Sequence, residues 1–331
     1  MTGGRRVPAR LLIAACTLGG AALFAWVVRR TGPADILDGI QRVGWGLAAI
    51  LAIAGARLAV RAAAWRLCMT PGSALTFRRA FSAFLAGDTA GTITPFGILA
   101  SEPTKVFLTR HHLATRDSIA SLAVENLLYT ISVLAMVAVG LVVMLVTVPL
   151  NGAWRWGIVG ALLAMALAVP IGWRLMRGMW DERRGARSPW RERLAAARLA
   201  ITGFAAEHRG RLWRALALDT MFHVLAVVEV FLTLRWLLGD SASAGGGALR
   251  PTLTQAIVFE SVNRMIIVAF KFVPFRFGVD EVLTGALAPV LSVNPAAGVS
   301  LAVVRKVRGL FWAGIGLIVI AAHPAARRRS A

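Results

Sequence analysis

The longest apolar run of the chain, Asp117–Val148, exceeds the roughly 20 residues that an α-helix needs to cross the hydrocarbon core of a bilayer. Comparable runs cover about Leu11–Val28, Trp45–Cys68, Trp154–Trp173, Trp213–Leu238 and Gly298–Ala322. Lipid cannot satisfy backbone N–H and C=O groups, so segments of this kind must pair them internally, as helices do. With 57% hydrophobic residues and a mean hydropathy of +0.68, the chain reads as an all-α polytopic membrane protein. A single integral membrane domain over residues 1–331 accounts for it, with no separate soluble catalytic domain beside it.

Two further apolar stretches are interrupted by proline and glycine. "PFGILASE" runs from Pro95 to Glu102, and "PFRFGVDE" runs from Pro274 to Glu281, an offset of 179 residues. The same offset lays Ser121–Val124 onto Ser300–Val303, and 8 of 32 positions are identical between Pro95–Asn126 and Pro274–Arg305 without a gap. We read an internal duplication, with units at about residues 78–148 and 252–322. Each unit begins with a helix pair broken at Pro95 and Gly97 or at Pro274 and Gly278, whose arms are re-entrant or short. The fold expected is therefore six full crossings plus two broken pairs.

The net charge of +21 would suggest nucleic acid in a soluble protein, but here the arginines fall in the connections between apolar runs. The positive-inside rule explains them, and no nucleic-acid partner is expected. Placing both termini in the cytoplasm puts the basic segments Arg66–Arg79, Lys105–Arg116, Arg174–Arg214 and Arg327–Arg329 inside. The poorly charged connections at 29–44, 149–153 and 239–251 then fall outside, in a cell inner membrane. Three crossings separate the two units, and an odd number makes the duplication an inverted repeat. Within the basic segment, Trp190, Leu194, Ala197, Ile201 and Phe204 recur at helical spacing, which reads as an amphipathic surface helix over about 189–206.

A charge at the centre of a membrane helix costs about 2.5–3.5 kcal/mol, so ionisable residues inside the spans mark a protein-facing or wet interior. Arg57 and Arg61 lie four apart on the second span. Glu102 and Glu281 occupy equivalent places after the two breaks, with Lys105, Lys271 and Arg276 close enough in sequence to pair with them. Glu125 and Asn126 sit early in the longest span, and Asn126 aligns with Arg305 of the last one. Arg305, Lys306 and Arg308 read as cations that snorkel from a helix end, with a cavity or pathway role as the other reading of Arg305. Glu260, Asn263 and Arg264 share one face and read as an intrahelical ion pair. Asp219 and His223 are four apart, which is compatible with a proton relay but leaves a metal without its third ligand; Glu229 lies off that face. Two cysteines, Cys16 and Cys68, provide neither a disulfide framework nor a zinc motif. No nucleophile elbow, P-loop or dinucleotide fingerprint is present, so neither enzyme nor cofactor is expected.

The order Arg61-x-x-x-Trp65-Arg66, then Pro95 through Glu102 with Lys105, then Glu125, then Val273–Glu281, then Arg305 resembles the lysylphosphatidylglycerol synthase transmembrane family. That family is also called flippase-like and includes hopanoid-associated membrane proteins. The resemblance covers about residues 10–320. This chain has Ser101 where members usually show glycine, Asn126 where they often show arginine, and Arg276-Phe277 where they often show Gly-Gly. These departures bear on the substrate more than on the fold. The synthase members add an aminoacyl-transferase domain, so the resemblance implies the lipid-translocating half.

Taken together, the expectation is a carrier that moves a lipid or lipid-linked headgroup between leaflets, its partner a membrane lipid with a charged headgroup. Alternatives are a membrane subunit or anchor for a lipid-modifying or glycosyl-transferring enzyme, and a small-solute carrier. The charge asymmetry gives a direct test of topology. A cysteine placed at Ser188 should resist a membrane-impermeant maleimide in intact cells, whereas one placed in Gly245–Gly247 should label; labelling of the first from outside overturns the orientation.

Overall fold

The computed structural model describes Trp26, Arg29 and residues 33–94, 97–179, 203–204, 206–239, 250–270 and 273–322. The first expected span apart from Trp26, most of the amphipathic segment at 189–206, and the residues Pro95 and Lys271 lie outside the described residues. Helices follow one another in the order α1 (Pro33–Val43), α2 (Gly46–Leu67), α3 (Phe77–Ile93), α4 (Ile98–Thr109), α5 (Thr115–Thr147), α6 (Gly152–Met179), α7 (Arg209–Leu238), α8 (Leu253–Ala269), α9 (Val279–Val290) and α10 (Pro295–Ala322). A single 3-10 turn, Pro274–Arg276, stands between α8 and α9, and the described residues contain no strand.

Among the described residues, three helices are long and apolar enough to cross a membrane: α2, α5 and α7. The helices α6 and α10 each have 28 residues, about 42 Å at 1.5 Å per residue; α10 carries Arg305, Lys306 and Arg308 in its middle. The segment Thr31–Gly44, expected as a linker, instead forms α1, which packs against α7 and α10. Ile36, Ile40 and Val43 recur at helical spacing there, a pattern masked at sequence level by the mixed charges between them.

The outer surface is apolar and the interior holds the charge. Residues Leu127, Ile131, Leu134, Val142 and Val146 of α5 and Leu163, Leu167 and Ile171 of α6 are exposed. Arg57, Arg61, Glu125, Asp219, Glu229, Glu260 and Arg264 are buried. That inversion of the soluble pattern suits a bundle solvated by lipid. Because lipid tails are as apolar as leucine, the helices associate by close packing at small residues. On α2, Gly46 lies under the Trp236 ring of α7 and Gly55 under the Trp312 ring of α10, whose indole N–H donates to the Leu51 carbonyl at 3.1 Å. On α5, Gly140 receives Ser261 of α8, whose hydroxyl donates to the Met136 carbonyl at 3.0 Å.

Both broken pairs are present. Helix α3 ends at Thr94, which is extended (φ −96°, ψ 143°), the conformation favoured before a proline. Helix α8 starts with a capping box in which Thr252 and Gln255 satisfy each other's backbone, and the Gln255 side chain also donates to the Leu291 carbonyl at the end of α9 at 2.8 Å. Beyond α8, Phe275 (φ 51°), Arg276 (φ 49°) and Gly278 (φ 79°) turn the chain through the left-handed region, and only the last has the residue type suited to it. The two units repeat one order of lengths: 17, 12 and 33 residues for α3, α4 and α5, and 17, 12 and 28 for α8, α9 and α10.

Their packing, however, differs. In the first unit the middle helix α4 lies on the preceding helix α3, with the backbones of Gly91 and Gly97 in contact. A groove of about 600 Å³ separates it from the following helix α5. In the second unit the middle helix α9 lies on the following helix α10, with Gly298 against Ala288 and the Thr284 carbonyl. A Cβ at Gly97 would come within 2.3 Å of the Gly91 carbonyl oxygen, whereas one at Gly152 would meet nothing within 4 Å. Gly97→Ala is therefore expected to cost about 1–3 kcal/mol by forcing α3 and α4 apart. Gly152→Ala should leave thermal unfolding in detergent unchanged; equal melting curves for the two variants would contradict the close approach.

Candidate functional site

Among the described residues the buried charges, Lys105 apart, collect in three groups. The central one joins α2, α7, α8 and α10. Arg57 donates to Glu229 at 2.6 Å, and Arg308 pairs with the other oxygen of the same carboxylate. Glu260 accepts from Arg264 Nε at 2.7 Å and from Asn263 at 3.3 Å, and lies 3.5 Å from Arg305 and 4.0 Å from Arg57. Four guanidiniums thus surround two carboxylates, an excess of two positive charges within this group. Arg57 Nε and one terminal nitrogen of Arg305 make no hydrogen bond.

One turn along α2, Arg61 donates to a single Glu125 oxygen from Nε at 2.8 Å and from a terminal nitrogen at 2.5 Å. Its Nε is also 3.7 Å from Asp219. The guanidinium lies 3.5 Å from the centre of the Tyr129 ring, a cation–π contact that replaces part of its lost hydration. Tyr129 hydroxyl in turn accepts from Arg264 at 3.3 Å, and Phe222 lies beneath Arg57, Arg61 and Arg264, so the first two groups share their aromatic lining.

The third group holds the second break. Lys306 of α10 reaches Asp280 at 3.2 Å, Glu281 at 2.8 Å and the Arg276 carbonyl at 3.3 Å, while Arg276 Nε pairs with Asp280 at 3.3 Å. Asp280 and Glu281 sit in the first turn of α9, where the helix dipole also favours negative charge. One lysine therefore fixes the backbone of the break to the helix that follows it.

The sequence candidates divide accordingly. Arg57, Arg61, Glu125 and Arg305 come together in the joined first and second groups, and Arg276 and Glu281 meet in the third. The pair Glu260–Arg264 is intrahelical, as expected, but also belongs to the central group. Glu102 pairs with Lys105 at 2.9 Å on α4, away from these groups, and Lys105 lies over the Phe84 ring at 4.4 Å. Asn126 turns away from its neighbour Glu125 and lines the α4–α5 groove with Glu102. Gly97 and Gly278 stand at the N-termini of α4 and α9, next to the breaks.

Sequence reasoning missed Glu229, Arg308, Lys306, Asp280 and Tyr129. Lys306 and Arg308 do not snorkel; they stand in the middle of the 28-residue α10, away from its ends, and are paired there with Asp280, Glu281 and Glu229. Glu229 carried a signal that was available: a lone carboxylate within the apolar stretch of α7, costly unless paired. Tyr129 had none, since its role depends on the cations that other helices bring to it. Among the described residues no group of three His, Cys, Asp or Glu side chains is placed to hold a metal ion.

A helical bundle with an apolar exterior and a paired ionic interior defines a multi-pass membrane protein associated with lipid. Residues 9–316 match the family described as the lysylphosphatidylglycerol synthase TM region, and the chain belongs to that family. Neither a curated protein nor a solved structure matches the chain.

Removing one partner from a buried ion pair leaves an uncompensated charge and costs about 3–5 kcal/mol. Glu229→Ala strands both Arg57 and Arg308 and is expected to lose that much in unfolding experiments in detergent. The control is Arg42→Ala, whose partner Asp38 is exposed, with an expected change below about 1 kcal/mol. A similar small loss at Glu229 would mean that the network is wet.

Proposed function

We propose that this protein carries a lipid, or a lipid-linked headgroup, from one leaflet of the cell inner membrane to the other without altering it chemically. The observation that carries the reading is the excess of guanidinium over carboxylate gathered at Arg57, Arg264, Arg305 and the partly exposed Arg308. Guanidinium forks match phosphate oxygens in geometry and charge, and two of these four retain a donor that makes no hydrogen bond. The substrate favoured is thus one with an anionic headgroup. Membership of a family named for the membrane region of a phospholipid-modifying synthase supports a lipid as the ligand.

The repeated order of helix lengths supports reading the two units as an inverted repeat, the architecture of alternating-access carriers. Helix α3, which leads into the first break, touches the 3-10 turn of the second, as a shared interior requires. The middle helices have 12 residues each, about 18 Å, too short to cross a core of about 30 Å, which supports re-entrant pairs between six crossings. The unequal packing of α4 and α9 supports one open and one closed half. With both termini in the cytoplasm, the basic connections lie inside.

Reconstitution into liposomes with head-labelled anionic and zwitterionic phospholipids tests the proposal. The expected result is faster leaflet exchange than in empty liposomes. Glu281→Gln, which takes one charge from beneath Lys306 at the second break, should slow it roughly tenfold, the effect of about 1.4 kcal/mol on a barrier. No exchange of any bilayer or isoprenoid lipid counts against transport, and full exchange by Glu281→Gln counts against the break as a moving part.

A further inference from the structure

Asp219 is the one carboxylate of the first two groups that this arrangement leaves without a partner of its own. It is fully buried, and neither of its oxygens accepts a hydrogen bond. The nearest cation, Arg61, directs both of its hydrogen bonds to Glu125 and stands 3.7 Å from Asp219. Two carboxylates sharing one guanidinium carry a surplus negative charge when both are ionised, and a proton bound to one of them removes it. Cys68, at the end of α2, also faces this pair, and Tyr129 of α5 lies against the shared Arg61. His223 of α7 is faced by Arg57 and Arg61 from α2 and by Glu260 and Arg264 from α8. His223 shares a contact of 3.1 Å with the Ser132 hydroxyl through Nε2, and its Nδ1 has no partner.

The second observation is a cavity. A half-open pocket of about 260 Å³ lies where α2, α5 and the start of α7 meet, with Asp117, Glu207 and His208 at its polar wall and Cys68, Ser121 and Val124 at its floor. Ser121 is four residues before Glu125 on α5. Ala215, which packs with Cys68 and Val124, is four residues before Asp219 on α7. The i to i+4 relation puts each carboxylate directly behind the floor, one helical turn deeper. One layer of small side chains thus separates the pocket from the unpartnered carboxylate.

We propose that Asp219 is a proton-binding site loaded from this pocket, and that its proton travels with an anionic headgroup held at the neighbouring arginines. This rests on the transport reading given above. Arg57 and Arg61 are one turn apart on α2 and share the Phe222 ring, so the proton site and the headgroup site are mechanically joined. A proton from water passes to an Asp219 oxygen and neutralises it, leaving Arg61 wholly to Glu125. A singly charged anion entering beside Arg57 and Arg305 then offsets the positive charge gained. Proton and anion loaded together leave the interior with the net charge of the empty carrier, so the loaded form crosses without added electrostatic cost. Loss of the proton on the far side returns Asp219 to competition with Glu125 for Arg61 and resets the site.

Two measurements on the wild-type protein, and one variant, test this. In native membranes a hydrophobic carbodiimide, which reacts with protonated carboxyls, should modify Asp219 and do so less as the pH rises. Infrared difference spectra of the purified protein across pH should show a protonated-carboxyl band that is absent from Asp219→Asn. In liposomes with labelled phosphatidylglycerol, an imposed pH gradient should drive accumulation in one leaflet, roughly tenfold per pH unit for one proton carried. Asp219→Asn should be indifferent to the gradient. No adduct and no titrating band overturn the site. A band that survives in Asp219→Asn but vanishes in Glu125→Gln moves the proton to Glu125 and overturns the assignment. A titrating Asp219 in a protein that moves lipid regardless of the gradient overturns the coupling. A titrating Asp219 in a protein that moves no lipid defeats the transport reading and the coupling with it, while the proton site stands.

Discussion

The ion pair between Arg57 and Glu229 is the contact on which the interior depends. It spans α2 and α7, the two helices that both qualify as membrane spans and pack most directly on one another. Taking two such charges out of water is costly, and the cost is met only where further partners surround them. Here Arg308 completes Glu229 from α10, and Glu260 approaches Arg57 from α8. Four helices are therefore tied at one level by charges that cannot be separated singly. A bundle without a hydrophobic drive between its members gains a defined register from this arrangement.

Small residues allow the charges to meet. Gly46 and Gly55 let tryptophans of α7 and α10 lie flat on α2, which brings Arg57 and Arg61, further along the same helix, within reach of their partners. Aromatic rings then take the place of water. Tyr129 and Phe222 supply π-faces to three arginines, while Trp65 is anchored through its indole N–H to Ser121 at 3.0 Å. The ionic core is thus lined, not merely paired, and its polar groups have few alternative arrangements.

The two halves use the same parts differently. In the first, α4 is held to α3 by backbone contact between glycines and leaves a groove against α5. In the second, Lys306 and the Gly298 contact draw α9 onto α10. Glu102 and Glu281 occupy equivalent sequence positions, yet one borders an open groove and the other is buried beneath a lysine.

Much of this was legible in the sequence. Apolar run length fixed the class and the approximate places of α2, α5 and α7, because lipid permits so few ways to satisfy a backbone. Spacing placed both breaks, since proline and glycine act locally. The cost of burying charge singled out Arg57, Arg61, Glu125 and Arg305 as inward-facing, a property of each residue alone. The partner of each charge was not legible. That Arg57 would meet Glu229, 172 residues away, and that Lys306 would close on the second break while Glu102 stayed apart with Lys105, depends on how the helices rotate and pack. Nor did periodicity show that α4 and α9 would choose opposite neighbours, because both carry the same length and similar apolarity. Those choices come from contacts between glycines and side chains on other helices, which exist only once the bundle has formed.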